Sequence, residues 1–295
     1  MRVNPNPFPD ILAALNQTRQ DQETALLQLS SGRRVSQPSD DPAAAAVLIQ
    51  NRDQSTFNAR YLSSLDSLQG QFQTADSTIN SVVLALQRAV TLGVEGANGT
   101  LSDQDRAAIT GELQGIQDQL LSLSNTSFQG RYLFSGTVTA TPPFVKDDTV
   151  ASGVRYDGNN AINTVQIGDG YRIAANQPGS QLFIAPGHDM FQSMTDLIQA
   201  MQSNTGFSAA ITSVRDSLDH LSGQRVFYGN AMNQGQSQSN YLGTAKLQLS
   251  RQENSLAGAD IEAAASRLVN AQNSTNATLA ALGRISQLSL FDYLK

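Results

Sequence analysis

The sequence contains no cysteine and no tryptophan, only two histidines, and aromatic residues make up just 6% of it. Without cysteine there can be no disulfide, no thiolate nucleophile and no thiolate metal site. The absence also fits a chain exposed outside the cell. Of the two histidines, His188 lies in a Pro-Gly-His-Asp turn and His220 beside an apolar stripe. Neither has a second histidine at metal-ligand spacing, so both read as ordinary surface or seam residues rather than ligands or general bases. Basic residues are also scarce: 19 against 25 acidic ones, for a formal charge of −6. Nucleic acid or an anionic membrane surface would reward a basic patch, and none is present. No stretch approaches the roughly 20 apolar residues of a membrane-spanning helix. Met1 to Asp10 carries one arginine, then Pro5, Pro7 and Pro9, and no apolar core. If the chain is secreted, it is expected to leave without an ordinary cleaved signal.

The usual catalytic constellations are missing as well. The adjacent pairs Asp40-Asp41 and Asp147-Asp148 are poorly placed to aim two carboxylates at one substrate, and Asp41 already suits a helix cap. Gly168-Asp169-Gly170 lacks the strand-to-helix setting of a phosphate loop and reads as a hairpin turn. No serine sits in a nucleophile elbow. Asn-x-Ser/Thr triplets such as Asn98-Gly99-Thr100 arise by chance in a chain so rich in these residues. Neither an enzyme activity nor a cofactor or metal is implied.

What is abundant is Ala, Gln, Asn and Ser. Ala and Gln favour helix, but small side chains bury little area, so narrow helix-helix seams suit this composition better than a thick core. The spacing agrees. Leu65, Leu68, Phe72, Ala75, Ile79, Val82, Leu86 and Ala89 follow an unbroken 3-4 apolar repeat. Ile109, Leu113, Ile116, Leu120 and Leu123 resume it after Gly93, Gly96 and Gly99, with Ser102 and Asp105 as a capping box. A third stripe runs Ile211, Val214, Leu218, Leu221, then polar positions, then Leu242 and Leu249. Three such helices predict an elongated bundle.

Each end of the chain carries a weaker stripe: Leu12, Leu15, Arg19, Gln22, Leu26 and Leu29, and then Ile261, Ala264, Leu268, Ala271, Thr275, Thr278, Leu282 and Ile285. Neither is rich enough to stabilise an isolated helix, so each requires a partner. The candidates are the other terminus and the same helices of neighbouring copies. The first helix should close at Gly32, and the next should open at Asp41-Pro42, an N-cap followed by proline at the first helical position. Gly258 and Asp260 should mark the same kind of break near the other end. From about Tyr132 to Pro186 the period changes to two: Val165 and Ile167 alternate, Gly168-Asp169-Gly170 turns, and Tyr171 and Ile173 return. This is a β insertion of roughly 50 residues, near the lower limit for an independent core. The expected fold is therefore mainly α, an elongated coiled-coil bundle built from both chain ends. It divides into terminal helices (1–40 and 258–295), a helical part (41–131 and 189–257) and an inserted β domain (132–188).

Leu29-Ser30-Ser31-Gly32-Arg33-Arg34-Val35, followed by Pro38-Ser39-Asp40-Asp41-Pro42-Ala43-Ala44, resembles the N-terminal signature of the flagellin superfamily. Ala259-Asp260-Ile261-Glu262 through Leu294 resembles its C-terminal helix. The resemblance covers everything but the β insertion. Filament flagellins usually have Asp-Asp-Ala-Ala-Gly where this chain has Asp40-Asp41-Pro42-Ala43-Ala44. The element Gly130-Arg131-Tyr132-Leu133-Phe134-Ser135-Gly136-Thr137, the aromatic ending Ser289-Leu290-Phe291-Asp292-Tyr293-Leu294 and the length are closer to the hook-filament junction branch. Pro5, Pro7 and Pro9 depart from the pattern and should shorten the first helix.

The resemblance implies a structural part of the bacterial flagellum, exported unfolded through the flagellar type III channel. Terminal helices would pack into the inner wall of a tube, between the first hook-associated protein and flagellin. A cytosolic export chaperone would hold the unpaired C-terminal helix. The assembly residues expected on that basis are Leu12, Leu15, Leu26 and Leu29 on one helix and Leu268, Ala271, Leu282, Ile285, Leu290, Phe291 and Leu294 on the other. Gly32, Arg33, Arg34, Asp40, Asp41 and Pro42 would order the linker. Two other readings remain open: a minor filament flagellin, and a secreted adhesin displaying the β insertion.

Overall fold

The computed structural model describes residues 8–293, with side chains over 9–284. The helices among them are α1 (Phe8–Ser31), α2 (Pro42–Gly96), α3 (Asp103–Ser124), the short α4 (Gly179–Leu182), α5 (Met190–Ser203), α6 (Phe207–Ala257) and α7 (Ile261–Tyr293). Between α3 and α5 lie β1 (Ser127–Phe128), β2 (Arg131–Tyr132), β3 (Phe144–Lys146), β4 (Val154–Tyr156), β5 (Thr164–Gly168), β6 (Tyr171–Ala174), β7 (Ile184–Ala185) and β8 (His188–Asp189). Consecutive strands pair antiparallel as four separate two-stranded ribbons. The expected Val165↔Ile173 register is present in β5–β6. The fold is mainly α, with a small β insertion. The described residues divide into two compact units, one reaching to Phe57 and resuming at Ala245, the other Asn58–Thr244.

In the Asn58–Thr244 unit the 3-4 stripe of α2 is buried from Leu65 to Ala89, and Ile109, Leu113, Ile116 and Leu120 of α3 are buried with it. Ser102 caps α3 by accepting from Asp105 N. Helix α5 lies within the 189–257 stretch expected to be helical, and the stripe that the sequence reading did not name, Phe191, Met194, Leu197, Ile198 and Met201, is all buried. Asp189 caps it, accepting from Gln192 N at 3.0 Å. Asn204 (φ 55°) and Gly206 (φ 80°) then reverse the chain into α6. The polar-looking middle of α6 is not solvent-facing throughout. Tyr228 is 2% exposed and sits edge-on to Phe72, with ring centroids 6.1 Å apart. Its burial raises the hydroxyl's pKa. Arg225, one turn earlier, grips α2 with two bonds to Asp76 and one to Asn80 Oδ1 at 2.9 Å.

The strand ribbons do not bury a core of their own. Phe134, Phe144, Ile167 and Phe183 fall in the same apolar cluster as Phe72, Leu113 and Met194. Phe144 is its aromatic centre, with ring centroids 5.0 Å from Tyr156, 5.6 Å from Phe183 and 5.5 Å from Phe191. Asn125, at the end of α3, fixes the backbone of β3 by donating to Phe144 O and accepting from Phe144 N. Short ribbons are marginal alone and acquire stability by packing on helices.

Candidate functional site: the terminal helix pair and its linker

Helix α1 ends because Gly32 takes φ +68°, its N–H donating to Gln28 O at 2.9 Å. Left-handed backbone of this kind disfavours any residue with a Cβ. The chain then meets the end of α6. Arg33 and Gly258 form an antiparallel bridge, Arg34 N donates to Ala257 O (2.7 Å), and Ala259 N donates to Gly32 O (2.9 Å). A Cβ at position 258 would stand 2.4 Å from Asn254 O, so that position needs glycine for space. Asp260 accepts from Ala263 N at 3.0 Å and opens α7.

The charged linker residues each have a defined partner. Asp40 Oδ2 accepts from Ser36 N and Gln37 N, both at 2.9 Å, which folds the loop on itself. These backbone donors, Gln37 first, hold its carboxyl below the usual aspartate value. Asp41 Oδ1 accepts from Ala44 N at 3.0 Å, with Pro42 as the first helical residue of α2. That N–H, and then Arg34, lower the Asp41 pKa likewise. Arg34 Nη2 also reaches Leu256 O, while Arg33 and Arg52 converge on Glu253 Oε1 at 2.9 and 3.4 Å. Beneath them Val35 packs with Ala44, Ala45, Leu48 and Ala257 in a second small core. Sequence reasoning passed over Val35, Glu253 and Ala257. The signal for Val35 was one apolar residue in an otherwise polar linker. Glu253 had no local signal.

Helices α1 and α7 run antiparallel from this linker and pack along their length. On α7 the inward face is Ala264, Leu268, Ala271, Thr275, Thr278 and Leu282, the expected stripe less Ile261, which is 50% exposed. On α1 the stripe is offset from the expected one. Leu15 and Ala25 are buried, Thr18, Gln22 and Leu29 partly so, while Leu12 (45%) and Leu26 (57%) face outward. Alanine seams let the two backbones approach, and Leu26 is too large for the position Ala25 takes. A groove of about 420 Å³ remains beside the seam, lined by Thr18, Asp21, Ala25, Arg267, Ala271 and Ser274 among others. The Thr275 hydroxyl is buried without a partner. The pair therefore leaves Leu12, Leu26 and Leu27 on α1, and Ile261, Val269 and Leu279 on α7, about half exposed or more. The side chains of Ile285, Leu290 and Phe291, and all of Leu294, lie outside the described residues.

Elsewhere the two histidines stack, with ring centroids 4.9 Å apart and planes within 4°, and His220 Nε2 lies 2.9 Å from Gln181 O. Among the described residues no group of three or more His, Asp or Glu is placed to hold a metal, and no helix is long and apolar enough to cross a membrane.

Residues 10–139 match the family model for the bacterial flagellin N-terminal helical region. The chain is 36% identical over 157 residues to flagellar hook-associated protein 3 of Salmonella typhimurium, covering 53% of this chain and 48% of that protein. It therefore spans about half the length of that relative. Against flagellar hook-associated protein 3 of Escherichia coli it is 26% identical over 294 residues, covering 91% of each chain. Its fold is similar to that of Bacillus cereus FlgL (TM-score 0.58, 21% identity, 70% of this chain and 99% of that one). It is also similar to the flagellar junction protein FlgL of Legionella pneumophila (TM-score 0.54, 13% identity, 65% and 99%). The signature at positions 29–44 and the paired terminal helices agree with these matches: over residues 10–139 the chain is similar to the N-terminal helical region of the bacterial flagellins.

Proposed function

We propose that this chain is a junction adaptor, joining the hook-associated zone to the flagellin filament through its α1·α7 pair. The observation that carries the proposal is the division of labour on that pair. Ala, Thr and Gln share the intramolecular seam with Leu15, Leu29, Leu268 and Leu282, while six further large apolar side chains remain outside it. Covering six half-exposed side chains gains on the order of 1 kcal/mol each, enough to drive association once several neighbours contribute. Large apolar side chains left outside an already filled seam suit a helix pair that finishes burying its surface against copies and relatives. The partners are further copies of the chain, the first hook-associated protein on one side and flagellin on the other. On this reading 1–40 with 258–295 line the inner tube, 41–131 with 189–257 surround it, and the 132–188 insertion faces outward. Before export, a cytosolic chaperone would cover the apolar face of α7, and passage would be through the flagellar type III channel.

Deleting the gene tests the assignment. A junction adaptor predicts flagellin secreted unattached into the medium, with hooks left bare. Filaments that stay attached while one filament type disappears would make the chain a minor flagellin instead. An adhesin would leave hooks and filaments intact and lower surface binding.

A further inference from the structure

Helix α2 passes to α3 through residues 97–102, and this loop holds the sequence's one Asn-Gly pair, Asn98-Gly99. Both residues are exposed. A Cβ built on Gly99 would meet nothing within 4 Å, so no neighbouring group crowds the approach to its peptide. The Asn98 side chain is not free to point anywhere. Its Oδ1 accepts from Thr100 N at 3.2 Å and from Thr100 Oγ1 at 2.9 Å, folding the carboxamide back along the Gly99 peptide.

We propose that Asn98 is a site of spontaneous deamidation, activated by Thr100. The Gly99 backbone nitrogen loses its proton to solvent base and attacks Asn98 Cγ, forming a C–N bond and a tetrahedral oxyanion at Oδ1. The two Thr100 donors already face that oxygen, where the negative charge develops. The side-chain nitrogen takes up a proton and leaves as ammonia, closing a five-membered succinimide. Water then opens either carbonyl, giving aspartate or isoaspartate at position 98. The second product routes the main chain through one extra methylene and leaves a carboxylate on the loop.

The loop is a sensitive place for that change. Arg106 is 8% exposed, and its guanidinium bridges Gly96 O (3.1 Å) and Leu101 O (3.5 Å), carbonyls on either side of position 98. Lengthening the backbone between them pulls one carbonyl away from a buried cation that already has an unpartnered Nε. Deamidation therefore loosens the α2–α3 reversal as the protein ages.

The test is incubation of the purified full-length chain in mildly alkaline buffer, followed by peptide mass analysis and melting. The expected result is a gain of about one dalton confined to the peptide containing position 98, in two chromatographic forms, with a falling Tm. Thr100→Val should slow the gain several-fold, and Gly99→Ala more. Asn98→Gln should hold its Tm through the same incubation. If position 98 changes no faster than the exposed Asn273 in the same digest, the proposal fails. An unaltered rate in Thr100→Val, with an unaltered starting Tm, would remove the activating role of the hydroxyl.

Discussion

Arg33 and Glu253, 220 positions apart, are joined by a 2.9 Å bond from Nη2 to Oε1 directly beside the Arg33–Gly258 backbone bridge. Side chain and main chain thus fasten the same crossing, where the segment leaving α1 meets the end of α6. Arg52 approaches the same carboxylate oxygen at 3.4 Å, so one acid serves two guanidinium groups. Glu253→Gln keeps the shape and removes the charge. Because the groups are partly solvated, the cost should be modest, about 0.5–1 kcal/mol. Amide exchange at Arg34 and Ala259 should accelerate, whereas exchange in the α2–α3 core should not change. Equal acceleration in both places would mean that the ion pairs do not act on the crossing.

Two glycines at this crossing are required for different reasons, and substitution separates them. Gly32 has open space around it but φ +68°. Gly32→Ala should cost about 1–2 kcal/mol, the penalty of left-handed backbone, and Gly32→Asn distinctly less. For Gly258 the obstacle is the Asn254 carbonyl, 2.4 Å from any added Cβ. Gly258→Asn should therefore rescue nothing relative to Gly258→Ala. Denaturant midpoints for the four variants check the contrast.

The sequence was legible wherever burial follows a local period. The stripes of α2 and α3 and the β5–β6 register could be read because each buried residue is specified by neighbours three, four or two positions away. The α1 stripe slipped because both settings fit the leucines. What decides between them is the fit of Ala25 into a seam whose other side is Ala271, more than two hundred residues later. Glu253 was invisible for the same reason: its partners Arg33 and Arg52 come from the other end of the chain. Tyr228 follows Val226 and Phe227 in the part of the α6 stripe read as polar, and its contact with Phe72 makes that position core. The assembly residues beyond Arg284 rest on the sequence pattern alone.

Acid should weaken the linker before the helices that flank it. The pKa values of Asp40 and Asp41 lie below the ordinary 3.8, through backbone donors in both and Arg34 in the second. A depressed folded-state pKa contributes stability that is fully present above the unfolded value. That stability is lost as pH falls through the folded one. The linker should accordingly be indifferent to pH from neutrality down to about pH 5, then loosen progressively below pH 4. Asp40→Asn should shrink that acid-dependent loss, because the amide oxygen is neutral at every pH. Exchange at Ser36 and Gln37, followed from pH 6 to pH 3, is the measurement. A profile identical in Asp40→Asn and the unaltered chain would exclude Asp40 as its origin.

The last prediction separates the two faces of the terminal pair. Ala271 is 6% exposed within the α1·α7 seam, whereas Leu26 is 57% exposed outside it. Ala271→Leu places three extra carbons in a packed contact, and overpacking of this kind costs about 1–3 kcal/mol. It should melt the pair in the isolated chain while leaving the Asn58–Thr244 unit folded. Leu26→Gln changes a side chain that lies mostly outside the seam, so melting should be unchanged within about 0.5 kcal/mol. If the outward leucines are assembly contacts, the same substitution should still reduce filament attachment in cells, and Leu279→Gln should add to the loss. Both variants must first be detected outside the cell, so that failed export is not mistaken for failed assembly. A strain carrying exported Leu26→Gln and Leu279→Gln with full attachment would show that these side chains are simply solvent-exposed. It would also leave the seam as the only role of the pair.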